Sequence, residues 1–135
     1  TIQKVVSYWY KLAQKGNYRK IMKDTAKRMY VKYNATYYNL LVPVLEMFCA
    51  PKTFDRFLIQ AQACLNHDAF DDLHRIQAKT LVIGAGKDKV LEGQSSIDIA
   101  HQIENCRLVM FDEYSHGVYE EAKEFNTVIL DFLRE

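Results

Sequence analysis

The sequence predicts an α/β fold in which several helices precede a parallel β-α-β-α unit. Two short apolar runs, residues 80–84 and 107–111, have the composition of buried strands, and a segment with helical periodicity separates them. Strands joined by a helix run parallel, with a right-handed crossover. The 135 residues are 49% hydrophobic and 26% charged, which is typical of a domain with a buried core.

Four or five helices are predicted within residues 1–66, because apolar residues recur there at helical spacing. The first helix should end near Gly16. Residues 37–48 are apolar almost all round, so we expect this segment to be deeply buried or to line a pocket, and Pro43 should kink it or start a new helix. Thr53 is the expected N-cap of the helix that follows.

The second half of the chain contains the predicted strands. Residues 67–75 form a polar, acidic connector, and residues 94–103 are the predicted crossover helix. A single apolar stripe in residues 118–133 predicts one last helix. We therefore divide the chain into a helical region, residues 1–75, and a β-α-β-α region, residues 76–135.

Two residues with catalytic potential follow the predicted strands. Asp88 comes just after the first strand and His116 just after the second. Because parallel strands place their carboxyl ends at the same edge of a sheet, the two side chains can meet where open α/β sheets bind ligands. A carboxylate that orients an imidazole is two thirds of a nucleophilic triad. Spacing alone favours a simpler alternative, in which Asp88 caps the next helix and His116 is a surface residue.

The sequence around these two residues resembles a known family. Residues 80–90, residues 107–111, the turn of residues 114–117 and the closing helix are similar to the C-terminal part of an α/β-hydrolase, over about residues 76–135. In that family, the aspartate after this strand is the triad acid and the histidine after the last strand is the base. The resemblance therefore implies these roles for Asp88 and His116.

This sequence departs from the family pattern at two positions. Lys89 stands where the family often has proline, and Ser115 precedes the histidine where glycine is commoner. Neither change removes a catalytic group.

The resemblance also gives a meaning to the first half of the chain. In the family this position commonly holds a helical cap, or lid, inserted before the penultimate strand, so residues 1–75 are expected to be such a cap. Its aromatic residues Trp9, Tyr37, Tyr38 and Phe48 would then shape an apolar pocket for the acyl or alcohol part of a substrate. Packing within the core explains these four residues equally well.

The family's nucleophile is missing from this sequence. It lies in a G-x-S-x-G turn, and none of the four serines, Ser7, Ser95, Ser96 and Ser115, has that context. We therefore interpret the chain as the cap and last two strands of a longer serine hydrolase that cleaves a carboxylic ester or a related acyl bond. The chain alone is predicted to be inactive. With only two strands it should also self-associate, because one sheet edge is open.

The distribution of charge supports an alternative function. Residues 1–33 contain nine Lys or Arg and a single acid, Asp24, so nine basic and sixteen acidic residues remain in the rest of the chain. The alternative is a non-catalytic helical binding module whose basic half recognises an acidic partner. A solvated lysine face on inward-packing helices is the simpler explanation, and nucleic acid is not an expected partner.

The remaining residue counts indicate a cytoplasmic protein without cofactors. Three cysteines, Cys49, Cys64 and Cys106, lack the spacing of a metal site, and we expect reduced thiols that are small buried side chains. His67, His74 and His101 share no ligand spacing, so no metal is expected. Without a run of eighteen apolar residues, stable membrane insertion is not expected either.

Overall fold

The computed structural model describes residues 2–135, apart from the side chains of Lys32 and Tyr33. The chain divides into two compact units, residues 1–67 and residues 68–135. We call the first the helical unit and the second the α/β unit.

The helical unit contains four α-helices, in which α2 packs against α1 and α3, and α4 packs against α1. Their bounds are α1 (Ile2–Gln14), α2 (Tyr18–Met29), α3 (Lys32–Cys49) and α4 (Asp55–Asn66). Leu12, Ala13 and Ile21 form a buried cluster, and the partly buried Phe54 and Phe57 pack against it. The predicted helical character of this half is confirmed.

The break between α1 and α2 has a clear local cause. Gly16 adopts a φ of +63°, a left-handed conformation that glycine tolerates and other residues adopt at a cost. Asn17 then accepts a hydrogen bond from the backbone N–H of Lys20 at 3.1 Å, which caps the start of α2. The sequence therefore located this boundary correctly.

Helix α3 agrees with its prediction in part. Pro43 lies inside one continuous helix, so of its two expected effects the start of a new helix is excluded. Tyr38, Val42 and Leu45 line an apolar cavity, as one of the two alternatives for residues 37–48 predicted.

Helix α3 is buried along one face only, because Val42 is 1% exposed whereas Leu40 is 74% and Phe48 74% exposed. The buried face packs against α2, so an apolar composition all round the helix did not produce burial all round.

The start of α4 also differs from the prediction. Asp55 is the first residue of the helix, and Phe54 occupies the N-cap position without a side-chain hydrogen bond. Thr53 is therefore not the N-cap. The carboxylate of Asp55 lies in the first turn, where a negative charge interacts favourably with the helix dipole.

The α/β unit contains a parallel two-stranded sheet and four helical segments. In chain order they are a 3₁₀ helix (Phe70–Arg75), β1 (Thr80–Ala85), α5 (Gly93–Gln102), β2 (Cys106–Phe111), α6 (Val118–Glu121) and α7 (Phe125–Arg134). The register pairs Thr80 with Cys106 and Ala85 with Phe111. The predicted parallel β-α-β-α arrangement is confirmed.

Two features of this unit were not predicted. The 3₁₀ helix packs against α5, and the two units therefore divide between His67 and Asp68, eight residues before the predicted boundary. The predicted last helix is two helices, because Ala122 leaves helical geometry with φ −83° and ψ 117°. This bend brings Phe125 against the buried cluster of Ala85, Val118 and Ala122.

The sheet is less covered than a fully buried parallel sheet. Residues 80–83 are partly exposed, and burial is complete only where β1 ends, at Gly84 and Ala85. Among the described residues, no helix is both long enough and apolar enough to cross a bilayer.

Candidate active site

The ends of the two strands bring Asp88 and His116 together. Because Ala85 pairs with Phe111 at the carboxyl end of the sheet, the two following loops start side by side. Nδ1 of His116 and Oδ2 of Asp88 are 2.8 Å apart. The expectation that these side chains meet at one edge of the sheet is confirmed, while their catalytic role stays a prediction.

The second carboxylate oxygen of Asp88 fixes its own loop. Oδ1 accepts hydrogen bonds from the backbone N–H groups of Val90 at 2.6 Å and Leu91 at 2.9 Å. Both donors lie before α5, whose N-cap residue, Glu92, makes no capping hydrogen bond through its side chain, so Asp88 orients the loop that leads into this helix without capping it. The helix-capping role that the simpler alternative gave to Asp88 is therefore wrong, and each oxygen of the carboxylate has a different partner.

The environment of Asp88 keeps it ionised at neutral pH. Burial, which leaves its side chain 10% exposed, raises the pKa of the carboxyl. The hydrogen bond from His116, the two backbone hydrogen bonds and the attraction to the imidazole charge together outweigh burial, so the net pKa lies below the usual aspartate value. A carboxylate only accepts hydrogen bonds, so Nδ1 of His116 must carry the proton between them.

This arrangement leaves the other ring nitrogen, Nε2, as the basic atom of His116. The imidazole is 29% exposed, so a reacting group can approach it. In a triad, the orienting carboxylate holds the histidine in this tautomer and stabilises the imidazolium that forms when Nε2 takes a proton. The pair can therefore act as a general base with its orienting group.

Backbone contacts hold the two loops against each other. Gly86 N–H donates to the Phe111 carbonyl at 3.1 Å, and Lys87 N–H donates to the Tyr114 carbonyl at 2.9 Å. A Cβ on Gly86 would lie 2.7 Å from the Cα of Asp112, so only glycine fits this close approach. The loops are thus fixed by main-chain contacts before any catalytic side chain is considered.

Side chains add two further links between the loops. The ammonium group of Lys87 pairs with the carboxylate of Glu113. The hydroxyl of Ser115, a residue that is 1% exposed, donates to the Lys87 carbonyl at 3.0 Å. From the sequence, Ser115 was a departure from the family pattern and a serine without the context of a nucleophile, and this hydrogen bond was not predicted. Its partner is 28 residues away, and no local pattern could have revealed it.

The serines of the α/β unit are engaged in local structure. Ser95 donates its hydroxyl to the Leu91 carbonyl at 2.6 Å. Ser96 packs against β1, where its Cβ would lie 2.6 Å from a Cβ built on Gly84. Ser115 is buried and donates to the Lys87 carbonyl, so all three serines have structural contacts within this unit.

The four aromatic residues predicted to shape a substrate pocket lie in the helical unit. The indole N–H of Trp9 donates to Asp24 at 2.7 Å. Tyr38 stacks on Tyr30 with centroids 4.3 Å apart, and it lines an apolar cavity of about 140 Å³ between α2 and α3. Tyr37 and Phe48 are 56% and 74% exposed. Contact with substrate remains a prediction for all four.

The basic region of the helical unit, for which the sequence left open a binding surface or a solvated lysine face, contains an open cavity of about 570 Å³. Lys20, Lys23, Lys27 and Tyr8 line it. The cavity itself was not predicted, although lysines three and four positions apart share one helix face.

The remaining metal-ligand residue types are dispersed. Among the side chains that the structure describes in residues 2–135, there is no group of three or more His, Cys, Asp or Glu residues that could hold a metal ion. Cys49 and Cys64 are exposed, so the expectation that all three cysteines are buried is wrong for these two, which lie on open faces of α3 and α4. His67, His74 and His101 are exposed as well.

Comparison with curated sequences finds similarity to several enzymes. A 2-hydroxy-6-oxo-6-phenylhexa-2,4-dienoate hydrolase of Comamonas testosteroni is 32% identical over 88 residues, which cover 63% of this chain and 31% of that protein. A proline iminopeptidase of Pestalotiopsis fici is 37% identical over 57 residues, or 42% of this chain and 20% of that protein. No protein-family model matches the chain.

Comparison with solved structures extends the similarity over nearly the whole chain. An α/β hydrolase enzyme from a Medee basin deep-sea metagenome library superimposes with a TM-score of 0.83 at 24% identity, over 99% of this chain and 51% of that one. An enol-lactonase of Burkholderia xenovorans superimposes with a TM-score of 0.79 at 18% identity, over 93% of this chain and 48% of that one. The chain thus spans about half the length of these structures and less of its curated relatives.

Proposed function

We propose that this chain, whose fold is that of the C-terminal portion of an α/β-hydrolase, supplies the general base and its orienting carboxylate to a serine hydrolase. His116 is the base and Asp88 the carboxylate. The hydrogen bond between Nδ1 of His116 and Oδ2 of Asp88 at 2.8 Å carries the proposal. It gives the imidazole the tautomer and orientation that the reaction requires.

In the proposed reaction, a serine hydroxyl oxygen attacks the carbonyl carbon of the substrate while Nε2 of His116 takes the hydroxyl proton. Asp88 stabilises the resulting imidazolium. The imidazolium then gives its proton to the departing oxygen or nitrogen, and an acyl-serine remains. Water repeats the sequence on the acyl-serine and releases the carboxylic acid, which returns the serine and the neutral His116.

The nucleophile and the oxyanion donors of this scheme must come from outside these 135 residues. No G-x-S-x-G turn occurs in the sequence, and the chain spans about half of its structural relatives. We therefore expect the isolated chain to hydrolyse activated esters no faster than its His116→Ala variant. Turnover that disappears with Ser95→Ala or Ser96→Ala would contradict this expectation.

The proposed substrate class is an ester or related acyl compound. The relatives include a dienoate hydrolase, an iminopeptidase and an enol-lactonase, and a general base paired with a carboxylate is compatible with each of these reactions. In this proposal the helical unit is the cap, and Trp9, Tyr37, Tyr38 and Phe48 contribute to an apolar substrate pocket. We also propose a cytoplasmic location, because a reducing compartment suits free cysteines.

The coding sequence upstream of residue 1 provides the first test, because a G-x-S-x-G turn is expected there. The protein that contains both segments should hydrolyse a nitrophenyl ester, and Asp88→Asn should lower kcat by about 10⁴-fold. His116→Ala should lower it at least as far. The exposed His101 on α5 provides a matched control, because His101→Ala should leave kcat unchanged. Equal activity of the His116→Ala and wild-type proteins would overturn the proposal.

A second candidate function follows from the lysine-lined cavity of the helical unit. The acidic residue in its wall, Asp24, is paired with Arg28, so Lys20, Lys23 and Lys27 can attract an anionic partner. This function predicts binding to vesicles of anionic lipid that weakens between about 0.05 and 0.5 M salt. Replacing the three lysines with glutamine should abolish binding, whereas Lys87→Gln in the α/β unit should not. Binding that is insensitive to salt would exclude this candidate.

A further inference from the structure

The hydroxyl of Ser115 occupies an unusual place in the α/β unit. Ser115 is the buried polar residue immediately before His116, and at 1% exposure it is among the least exposed side chains described. Its Oγ donates to the carbonyl oxygen of Lys87 at 3.0 Å. Lys87 immediately precedes Asp88, so this hydrogen bond joins the two residues that come directly before the catalytic candidates.

The peptide groups of Lys87 are held at two points by the opposite loop. Lys87 N–H donates to the Tyr114 carbonyl at 2.9 Å, and its carbonyl accepts from the Ser115 hydroxyl. The first contact fixes the peptide that precedes Lys87, and the second fixes the peptide that links Lys87 to Asp88. With both peptides fixed, the Cα of Asp88 and the direction of its side chain are set relative to the backbone of His116.

This second contact differs from the main-chain contacts around it because it depends on a side chain. Glycine at position 115 could form every backbone hydrogen bond of the loop but would leave the Lys87 carbonyl without the hydroxyl donor. The hydrogen bond is partly buried, so loss of the donor leaves the Lys87 carbonyl poorly paired, and a small rotation of the peptide is the simplest relief. That rotation would move Asp88 directly, since Asp88 contributes the nitrogen of the same peptide.

We propose that Ser115 is a positioning residue whose hydroxyl, through the Lys87–Asp88 peptide, holds the Asp88 carboxylate in line with Nδ1 of His116. The inference deepens the proposed function and rests on it for its catalytic consequence. Ser115 does not contact substrate in this scheme and is not the nucleophile, because its hydroxyl is buried and already donates to a carbonyl. Its effect on the reaction passes entirely through Asp88 and His116.

A purely structural role for Ser115 would give a different outcome. Loss of a buried hydrogen bond lowers stability wherever it occurs, so lower stability alone does not separate the two roles. The positioning role also predicts a change in the tautomer of His116, that is, in which ring nitrogen carries the proton. When the carboxylate leaves the line of Nδ1–H, the preference for that tautomer weakens and the proton exchanges with water more readily.

The experiment uses NMR of the 135-residue chain to determine which ring nitrogen of His116 carries the proton. The wild type should show one tautomer with the proton on Nδ1, and Asp88→Asn should lose that preference. Ser115→Ala should show a mixture of tautomers and a broadened or missing Nδ1–H signal. Ser115→Thr keeps the hydroxyl, so it should retain the wild-type signal even where its extra methyl group lowers Tm.

Two further variants keep the test decisive. Ile103→Val removes a methylene group from a residue that is 5% exposed at the end of α5, and it should lower Tm without changing the His116 signals. If Ser115→Ala does not fold, Ser115→Cys replaces it, because a thiol is of similar size but is a weak donor. A wild-type tautomer in Ser115→Ala, or in Ser115→Cys where that variant is used, would overturn the inference.

Activity separates this inference from the proposed function. In the protein that contains the nucleophile, Ser115→Ala should lower kcat by roughly tenfold or more with little change in KM, because positioning acts on the reacting groups. If Asp88→Asn leaves activity unchanged, the proposed function fails whatever Ser115 does. If Asp88→Asn removes activity while Ser115→Ala keeps both full kcat and the wild-type tautomer, only the role of Ser115 fails.

Discussion

Oδ2 of Asp88 accepts a hydrogen bond from Nδ1 of His116 at 2.8 Å, although the two residues lie 28 positions apart in the chain. The parallel pairing of β1 with β2 brings their loops together, and the second oxygen of Asp88 is fixed by backbone N–H groups. Each oxygen of the Asp88 carboxylate therefore has its own partner: Oδ1 accepts from the backbone of its own loop, and Oδ2 accepts from the imidazole of His116.

The Asp88 carboxylate should stabilise the α/β unit in a pH-dependent manner. The pKa of Asp88 is lower in the folded chain than its ordinary value of about 3.9. The ionised carboxylate therefore contributes its full stabilisation above about pH 3.9, and this stabilisation is lost as pH falls through the folded pKa. Asp88→Asn should therefore lower Tm at pH 7, and the difference from wild type should shrink below about pH 4. The exposed Asp98, bonded to Gln94, is the control, because Asp98→Asn should change Tm little at either pH. A Tm difference that is constant from pH 7 to pH 3 would contradict the prediction.

Gly86 should not tolerate any side chain. A Cβ there would lie 2.7 Å from the Cα and 2.8 Å from the carbonyl oxygen of Asp112, and backbone atoms cannot rotate away. Gly86→Ala should destabilise the α/β unit by about 1–3 kcal/mol in a urea titration. Lys87→Ala in the same loop removes only the exposed ion pair with Glu113 and should cost at most about 1 kcal/mol. Equal stability of the two variants would show that the loops can separate freely.

Replacing Pro43 should stabilise the helical unit. Pro43 lies inside α3, where it has no N–H to donate to the carbonyl of Asn39, and its ring disfavours the helix interior. Pro43→Ala should raise the free energy of unfolding by about 1–3 kcal/mol. Ile59→Ala, at a position on α4 that is 70% exposed, should change it by less than about 0.5 kcal/mol. A neutral or destabilising Pro43→Ala variant would contradict the prediction.

The 135-residue chain should self-associate in solution. On α3, Leu40 is 74%, Met47 70% and Phe48 74% exposed, and these residues form an apolar stripe at helical spacing. We propose that a second copy of the chain covers this stripe, with pairing of open strand edges as an additional contact. Sedimentation at micromolar concentration should show a dimer that the double variant Leu40→Lys/Met47→Lys weakens.

Ile59 provides the matched control for that experiment. It is 70% exposed but lies on α4, so Ile59→Lys should leave the dimer intact. A wild-type chain that sediments as a monomer would exclude self-association. A dimer that persists in the double variant but dissociates in Ile59→Lys would place the interface on α4.

The two strands, the crossover helix between them and the two candidate residues could all be predicted from the amino-acid sequence. Apolar runs identified β1 and β2, and the helix between them required a parallel crossover that places Asp88 and His116 at one edge of the sheet. This inference succeeded because it depends on chain connectivity and handedness, which the order of residues fixes. The helix break at Gly16 could be predicted for a similar reason, since its cause is local.

Which surfaces are covered, and how the two loops are joined, could not be predicted from the amino-acid sequence. An apolar residue on α3 is buried or exposed according to whether it faces α2, and the division of the last helix at Ala122 follows the packing of Phe125 on its core. The hydroxyl of Ser115 finds its acceptor on Lys87, 28 residues away. Burial and long-range hydrogen bonds depend on contacts between segments that are distant in sequence, and periodicity within one segment carries no information about them.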